Sequence, residues 1–588
     1  MDTALAYTNN VFLKALHHRR YATFLSDLLL PVKKNRSYKY LCFLEHIKKA
    51  LTYTNNIFKD NSSLHVQIYN IWGLVELYMN RQEKCKQLFD SAIKFNRLNN
   101  FIVNEYEYSR SIAYATMNVL NYQSGNEKLI DLIYAKNILT KSIPNWESFY
   151  KKQFEFSKIG FDDQYFINPY QKLVYIYSEL FRLTDNMFYF VKCLQFVEKI
   201  KQSKNYKNEN KLIDGYVKTY LTIQKLKIIC KQTNSALINF FKTKDNDVTM
   251  ALLILPDTTL QCLISDKNQM HLDQKLIEIN KNIIENDFKK IKTDFYMLYK
   301  LCFKSIDSIL GKNKISEIKI IPDVSMGFLN FDLLQTDSLL PFNKSALINK
   351  YKITYNINLT NFINNYCDTK RYNEINLFVP NYEKTNYPVL SFSQKLKDNL
   401  KELFNVIYAD TKKFKTEFFT QNALHHYIGH INSNAYSNEQ TLFLENINFE
   451  SAELYNKHVK GSTYILSGCG SNVGRTYLYN KVNSMPYNLL SQEASAVISS
   501  NWQIDDKENA EFFNTFYNYL NKGEKSSEAL YKTKLDFIKL NKPPAVWGAY
   551  FYFGNDFEIV SNNNDLLILL IVVIVSILLL VFKVRFKK

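Results

Sequence analysis

The chain has 588 residues, too long for one compact core, and its length points to two to four folded domains. Hydrophobic residues make up 46% and charged residues 22%, which excludes a wholly disordered chain, and the scarcity of Gly (14) and Pro (11) disfavours an all-β protein of many hairpins. The net charge of +18 raises the question of an anionic partner, but no Lys/Arg run reaches five and residues such as Lys199, Lys201, Lys204, Lys207 and Lys211 are spread along helical segments, so a solvated basic surface is favoured over nucleic-acid binding.

Residues 1–225 read as helices, with apolar residues at three- and four-residue spacing. The best-defined hairpin is IYNIWGLVELYM, then NRQ, then EKCKQLFDSAIKF. Gly73 falls where two antiparallel helices must approach closely, and Cys85, Phe89 and Ala92 follow at small, aromatic, small spacings. This hairpin resembles a tetratricopeptide (TPR) repeat, with an ordinary helical bundle as the alternative; either way the region is expected to bind protein partners and to carry no chemistry.

From about residue 230 short β-rich runs appear at 248–256, 260–265, 317–322, 352–357, 374–380, 424–429, 462–468 and 495–502. Several are almost continuously apolar, as strands buried on both faces should be. Helical stretches at 273–308, 391–404, 450–458, 486–494 and 507–540 lie between them. The alternation predicts an α/β sheet covered by helices on both sides, with functional groups at the carboxyl ends of strands.

The eight cysteines are scattered and form no CxxC pair, which argues for reduced, mostly buried thiols rather than a zinc ribbon. Cys469 differs in its setting. LHHYIGHI places His430 just past one predicted strand, and YILSGCGSNVGR places Cys469 just past another. A thiol needs a nearby base to become a thiolate, and the oxyanion formed after its attack needs N–H donors. The N–H groups of Cys469 and Ile431 are the candidates, while Gly468 and Gly470 allow a sharp backbone turn. His425 and His426 read as satisfied core groups. Metal binding by His426 with His430 has the spacing of one helix face, but this segment reads as a strand.

Residues 230–560 resemble the CHAT domain of the caspase and separase clan, a family that commonly follows TPR repeats. The resemblance runs in order through TNSALINFFKTKDNDVTMALLILPDTTLQCLIS, IIPDVSMGFLNFDLL, HYIGHI, FLENINFESAELYNKHVKGSTYILSGCGSNVGR, the stretch around SNWQIDD with its two following helices, and VWGAYFYFGND. It implies a caspase-like fold with His430 as general base, Cys469 as nucleophile, and no metal or organic cofactor. It also implies a protein substrate, and places Asp506, with Asp505 beside it, at the pocket that reads the residue before the scissile bond, favouring Arg or Lys. The competing reading is that both aspartates cap the helix starting near Lys507. Two departures weaken the resemblance locally. Ile431 stands where the family usually has Gly, and Gly470-Ser471 where it usually has Glu-Thr.

The run Leu566–Phe582, LLILLIVVIVSILLLVF, precedes a basic tail at 583–588. As a helix it would rise roughly 26 Å, near the lower limit for a bilayer core, and it predicts a single-pass transmembrane helix tethering the protein to a membrane. The basic tail favours an outside body by the positive-inside rule, whereas the N-terminus lacks a secretory signal; a cytoplasmic body is the preferred orientation, with a periplasmic or extracellular body as the other. The combined expectation is a membrane-anchored CHAT-type cysteine endopeptidase regulated through its helical region. A catalytically inactive CHAT/TPR scaffold is the rival.

Overall fold

A computed structural model describes residues 36–58, 63–79, 81–99, 115, 118–119, 129–156, 164–202, 216–243, 248–265, 279, 288–323, 326–327, 329–366, 369–408, 413–434, 439–444, 448–457, 459–468, 470–472, 475–477, 481–561 and 573–577. The chain divides into two compact units, Met1–Phe190 and Val191–Lys588.

The described elements of the first unit are helices: α1 (Arg36–Phe58), α2 (Ser63–Tyr78), α3 (Gln82–Asn99), α4 (Leu129–Phe156) and α5 (Gln164–Thr184). Helices α2 and α3 form the hairpin read from the sequence. Gly73 lies against the Phe89 ring so closely that a Cβ would sit 2.7 Å from Cε1, and Cys85, Phe89 and Ala92 are fully buried. Tyr40 of α1 donates to the buried Glu76 Oε1 (2.7 Å), as does Trp72 Nε1 (2.8 Å), so that carboxylate is held by two helices. Helix lengths of 23, 16, 18, 28 and 21 residues do not keep the constant period that a TPR array requires, so the coarser description, an N-terminal helical region, is the one the structure supports.

The second unit takes in helical chain ahead of residue 230. Helix α6 (Met187–Gln202) carries Glu198, which accepts from Asn239 Nδ2 (3.0 Å) and from the Leu359 N–H (2.8 Å), and Lys201, which donates to Asn239 Oδ1 (2.6 Å). After α7 (Tyr216–Gln232) come β1 (Ser235–Thr243), β2 (Val248–Ile254), β3 (Thr259–Ser265), α8 (Phe288–Leu298), α9 (Lys304–Lys312), β4 (Glu317–Ile321), β5 (Lys352–Tyr355) and α10 (Leu359–Tyr366). The chain continues through β6 (Lys370–Tyr372), β7 (Ile375–Phe378), α11 (Ser391–Leu403), β8 (Val406–Tyr408) and β9 (Leu424–Tyr427). Strands β10 (Ile431–Asn434), β11 (Glu439–Phe443) and β12 (Asn448–Glu450) make a small sheet of their own. Then follow β13 (Thr463–Leu466), the hairpin β14 (Arg475–Tyr477) and β15 (Lys481–Asn483), α12 (Met485–Ser491) and β16 (Ala496–Ser500). The last elements are α13 (Asp506–Asn521), α14 (Ser526–Lys539), β17 (Tyr550–Gly554) and β18 (Phe557–Ile559).

Eleven strands form one sheet in the order β3-β2-β1-β4-β5-β17-β16-β13-β9-β7-β8. Strands β16, β13, β9, β7 and β8 are mutually parallel, and β17 runs antiparallel to β16. Every residue of β9, β13 and β16 is buried, so neither face of these strands is left wet for polar residues to alternate toward. In β9 and β13 Leu424 pairs with Thr463 and Tyr427 with Leu466, so the two strands end side by side. That register brings the loops after Tyr427 and Leu466 together.

The expected C-terminal transmembrane helix is not found. Among the described residues no helix is long and apolar enough to cross a membrane. Of that run only residues 573–577 are described, and they are helical. Residues 566–572 and 578–588 lie outside the described residues. The fold class is therefore an α/β domain with an N-terminal helical region, and the expectation of a single-pass anchor is withdrawn with the helix.

Candidate active site

The sheet delivers His430 three residues beyond the end of β9. Its N–H donates to Tyr382 Oη (3.0 Å), and its ring lies beside those of Tyr382 and Tyr387, with centroids 4.7 and 5.9 Å away. The ring Nε2 lies 2.8 Å from Pro388 O. A carbonyl only accepts, so Nε2 carries a proton and Nδ1 is the ring nitrogen outside that bond. Below the ring, the buried Tyr427 hydroxyl lies 2.9 Å from His430 O and 2.7 Å from Phe443 O. Burial pushes that phenol's pKa far up, so it remains a donor. Gly429 is required here because a Cβ would strike the hydroxyls of both Tyr427 and Tyr382. None of Tyr382, Tyr387 and Pro388 was singled out by the sequence, since nothing local marks a loop that packs on a histidine some forty positions later.

The second loop leaves β13. Ser467 N–H donates to Tyr427 O (3.1 Å), which carries the β9–β13 pairing one step past the strands. Gly468 then abuts the first loop directly: a Cβ there would lie 2.5 Å from both Gly429 O and Ile431 Cγ1. Cys469 itself lies outside the described residues. On its far side Gly470 has φ +65°, the left-handed region that favours glycine, and its N–H donates to Trp502 O (3.2 Å). Ser471 Oγ donates to Leu466 O (2.9 Å) and accepts from Ser500 N–H (2.7 Å), while Ser500 Oγ donates to Gly468 O (2.7 Å). Residues 468 and 470–471 are thus held by partners on β13, on β16 and beyond it. Ile431, the other residue expected to face an oxyanion, opens β10 opposite Leu442. The neighbouring bond from Phe443 N–H to His430 O (3.0 Å) directs the ladder away from its own N–H.

The neighbouring histidines are core groups. His426 lies between Tyr517 Oη (2.8 Å from Nδ1) and Ser467 Oγ (3.0 Å from Nε2), a set satisfied when Tyr517 donates to Nδ1 and Nε2–H donates to Ser467. Ser467 Oγ in turn donates to Tyr427 O (3.2 Å). Burial drives the His426 pKa down to about 3 and that of His425, on the opposite face and stacked on Tyr464, to about 4, so both are neutral.

The two aspartates lie after β16, beyond Trp502, whose indole N–H donates to Ala545 O (2.7 Å). Asp505 is the N-cap of α13 and accepts from Lys507 N–H (2.9 Å) and Glu508 N–H (3.4 Å). Asp506 reaches instead to the start of α11, where it accepts from Phe392 N–H (2.8 Å), Ser393 N–H (3.2 Å) and the Ser393 hydroxyl. That helix begins three residues after Pro388, so Asp506 anchors the same segment that holds His430.

Among curated proteins none matches the chain. Two crystal structures of the Saccharomyces cerevisiae separase–securin complex are similar to it, at 12% identity with a TM-score of 0.48 and 10% with 0.47; each covers 92% of this chain, which spans about half, 48%, of the other. The Arg-specific cysteine proteinase gingipain R is similar over 50% of this chain and 75% of its own, at 9% identity and a TM-score of 0.30. The CHAT domain family matches residues 295–555, which contain both loops described above. Residues 295–555, within the second unit, are therefore similar to the CHAT domain family and have an α/β fold.

Proposed function

We propose that the protein is a CHAT-type cysteine endopeptidase in which His430 and Cys469 act as a dyad. The observation that carries this reading is the contact of Gly468 with Gly429 O and Ile431, which puts the residue before the cysteine against the residues on either side of the histidine. With Nε2–H committed to Pro388 O, Nδ1 is the nitrogen that takes the thiol proton. The thiolate attacks the scissile carbonyl, and the resulting oxyanion faces the N–H groups of Ile431 and Cys469. The His430 imidazolium then returns its proton to the leaving amine, forming a thioester that a water activated by His430 hydrolyses. No step draws on a metal or organic cofactor.

Selection for Arg or Lys ahead of the scissile bond is part of the proposal and rests on Asp506, with Asp505 beside it. Three donors already occupy Asp506, and a carboxylate has about four acceptor positions, so one further bond to a guanidinium is open to it. The rival is an inactive scaffold that binds protein partners through TPR-like helices. Its supporting observation is that the Gly470 N–H is already taken by Trp502 O, which leaves fewer donors for an oxyanion.

Labelling separates the two. A peptidyl acyloxymethyl ketone with Arg in the recognition position should modify Cys469 in the full chain and fail in His430→Ala. An Asp506→Asn variant should lose the preference for Arg over Leu probes. A Cys469 that stays unmodified, with partners recovered through residues 1–225, would establish the scaffold.

A further inference from the structure

One buried amide side chain connects the two loops of the site. Gln440 lies on β11 and is 3% exposed. Its Nε2 donates to Gly470 O (3.2 Å) and Ser471 O (2.9 Å), and its Oε1 accepts from the N–H of Met485 (2.5 Å), the first residue of α12. The chain between those anchors leaves the site and returns through the β14–β15 hairpin. Both ends of that excursion are thus fastened to one side chain, and Ser484 Oγ donating to Asn472 Oδ1 (3.3 Å) closes the same base. At its other end β11 is tied to the histidine by the bond from Phe443 N–H to His430 O (3.0 Å).

Two donors and one acceptor in a single buried planar group are what an amide supplies. Glu has the acceptor without the donors, and Met has the volume with neither. With every bond made, such a group is rigid and sets one arrangement of the peptides around it.

We propose that Gln440 is a positioning residue: it fixes the Gly470–Ser471 peptides relative to His430, and so the direction of the backbone N–H groups around the nucleophile. This rests on the dyad reading above.

The test compares Gln440→Glu and Gln440→Met with the wild-type full chain by two chemistries and by amide hydrogen exchange. The peptidyl ketone forms an oxyanion as it reacts, whereas iodoacetamide needs only the thiolate. Both variants should lose about 100-fold in ketone labelling, the scale of a misplacement near 1 Å, while iodoacetamide labelling holds. The ratio of the two rates in Gln440→Glu should recover in part as pH falls toward the carboxyl pKa, because a protonated carboxyl regains one donor. Exchange should quicken in peptides covering 466–472 and 484–490. Gln440→Met keeps the volume and supplies the comparison if the glutamate variant does not fold. Unchanged exchange in both peptides, or equal losses with both probes, overturns the proposal. If wild-type Cys469 reacts with neither probe yet exchange quickens in the variants, the dyad reading falls and the clamp stands.

Discussion

Gly468 lies against the Gly429 carbonyl with no room for a side chain, because a Cβ on residue 468 would sit 2.5 Å from that oxygen. The contact joins the ends of two parallel strands, β9 and β13, whose register is already set by Tyr427 pairing with Leu466. The only way to admit a methyl group is to move the two loops apart. Gly468→Ala should therefore lower ketone labelling of Cys469 about 100-fold while the sheet stays folded. Labelling rates read beside a far-UV spectrum check this, and labelling at the wild-type rate counts against the juxtaposition.

The two buried histidines predict an acid-sensitive fold. Their native pKa values are held down to about 3 and about 4, below the ordinary 6.5, by burial. Above pH 6.5 both states are neutral and the histidines add no pH dependence. As pH falls through 6.5 the unfolded chain takes up protons that the native one refuses, so stability declines progressively toward the native values. The loss should amount to several kcal/mol by about pH 4. Urea midpoints at steps between pH 7.5 and 4.5 measure it, and a His425→Phe variant should show a shallower decline.

Asp506 predicts a coupling between helix α11 and the histidine. Replacing it with Ala removes the acceptor for the Phe392 and Ser393 N–H groups and should cost about 1–2 kcal/mol of stability. Asn keeps one acceptor oxygen and should recover most of that. The pH profile of Cys469 labelling should also shift in Asp506→Ala, because the segment carrying Pro388 loses its anchor. An identical profile in both variants would limit Asp506 to capping.

In the first unit Gly73 faces the Phe89 ring at a distance that leaves no space for a Cβ. Gly73→Val should force the α2–α3 hairpin open at a cost of about 1–3 kcal/mol, offset in part by the higher helix propensity of a non-glycine residue. A double variant with Phe89→Leu should recover stability relative to Gly73→Val alone. Thermal melting followed by circular dichroism gives both numbers.

Much of the fold was legible in short windows. The runs 317–322, 462–468 and 495–502 became β4, β13 and β16 within a residue or two, and 391–404 became α11, because apolar period and length are local properties. The stretch 507–540 divides into α13 and α14 at Gly523, where φ is +83°. Within the stretch 450–458, Ser451–Asn456 form a 3-10 helix instead of an α-helix. The apolar run near the C-terminus shows the limit of such reading: hydropathy and length alone raised a membrane span that the described helices do not contain.

The sequence by itself determined which segments are buried strands and where glycine stands on either side of position 469. Only the tertiary structure decided that β17, last in the main sheet's chain order, enters between β5 and β16. Only it decided that Pro388 holds the His430 ring, that Asp506 reaches a helix 113 positions earlier, and that Gln440 grips the loop after Cys469. The reason is physical. Periodicity and turn chemistry act over a few residues, whereas a hydrogen bond between distant loops exists only after the sheet has set their register.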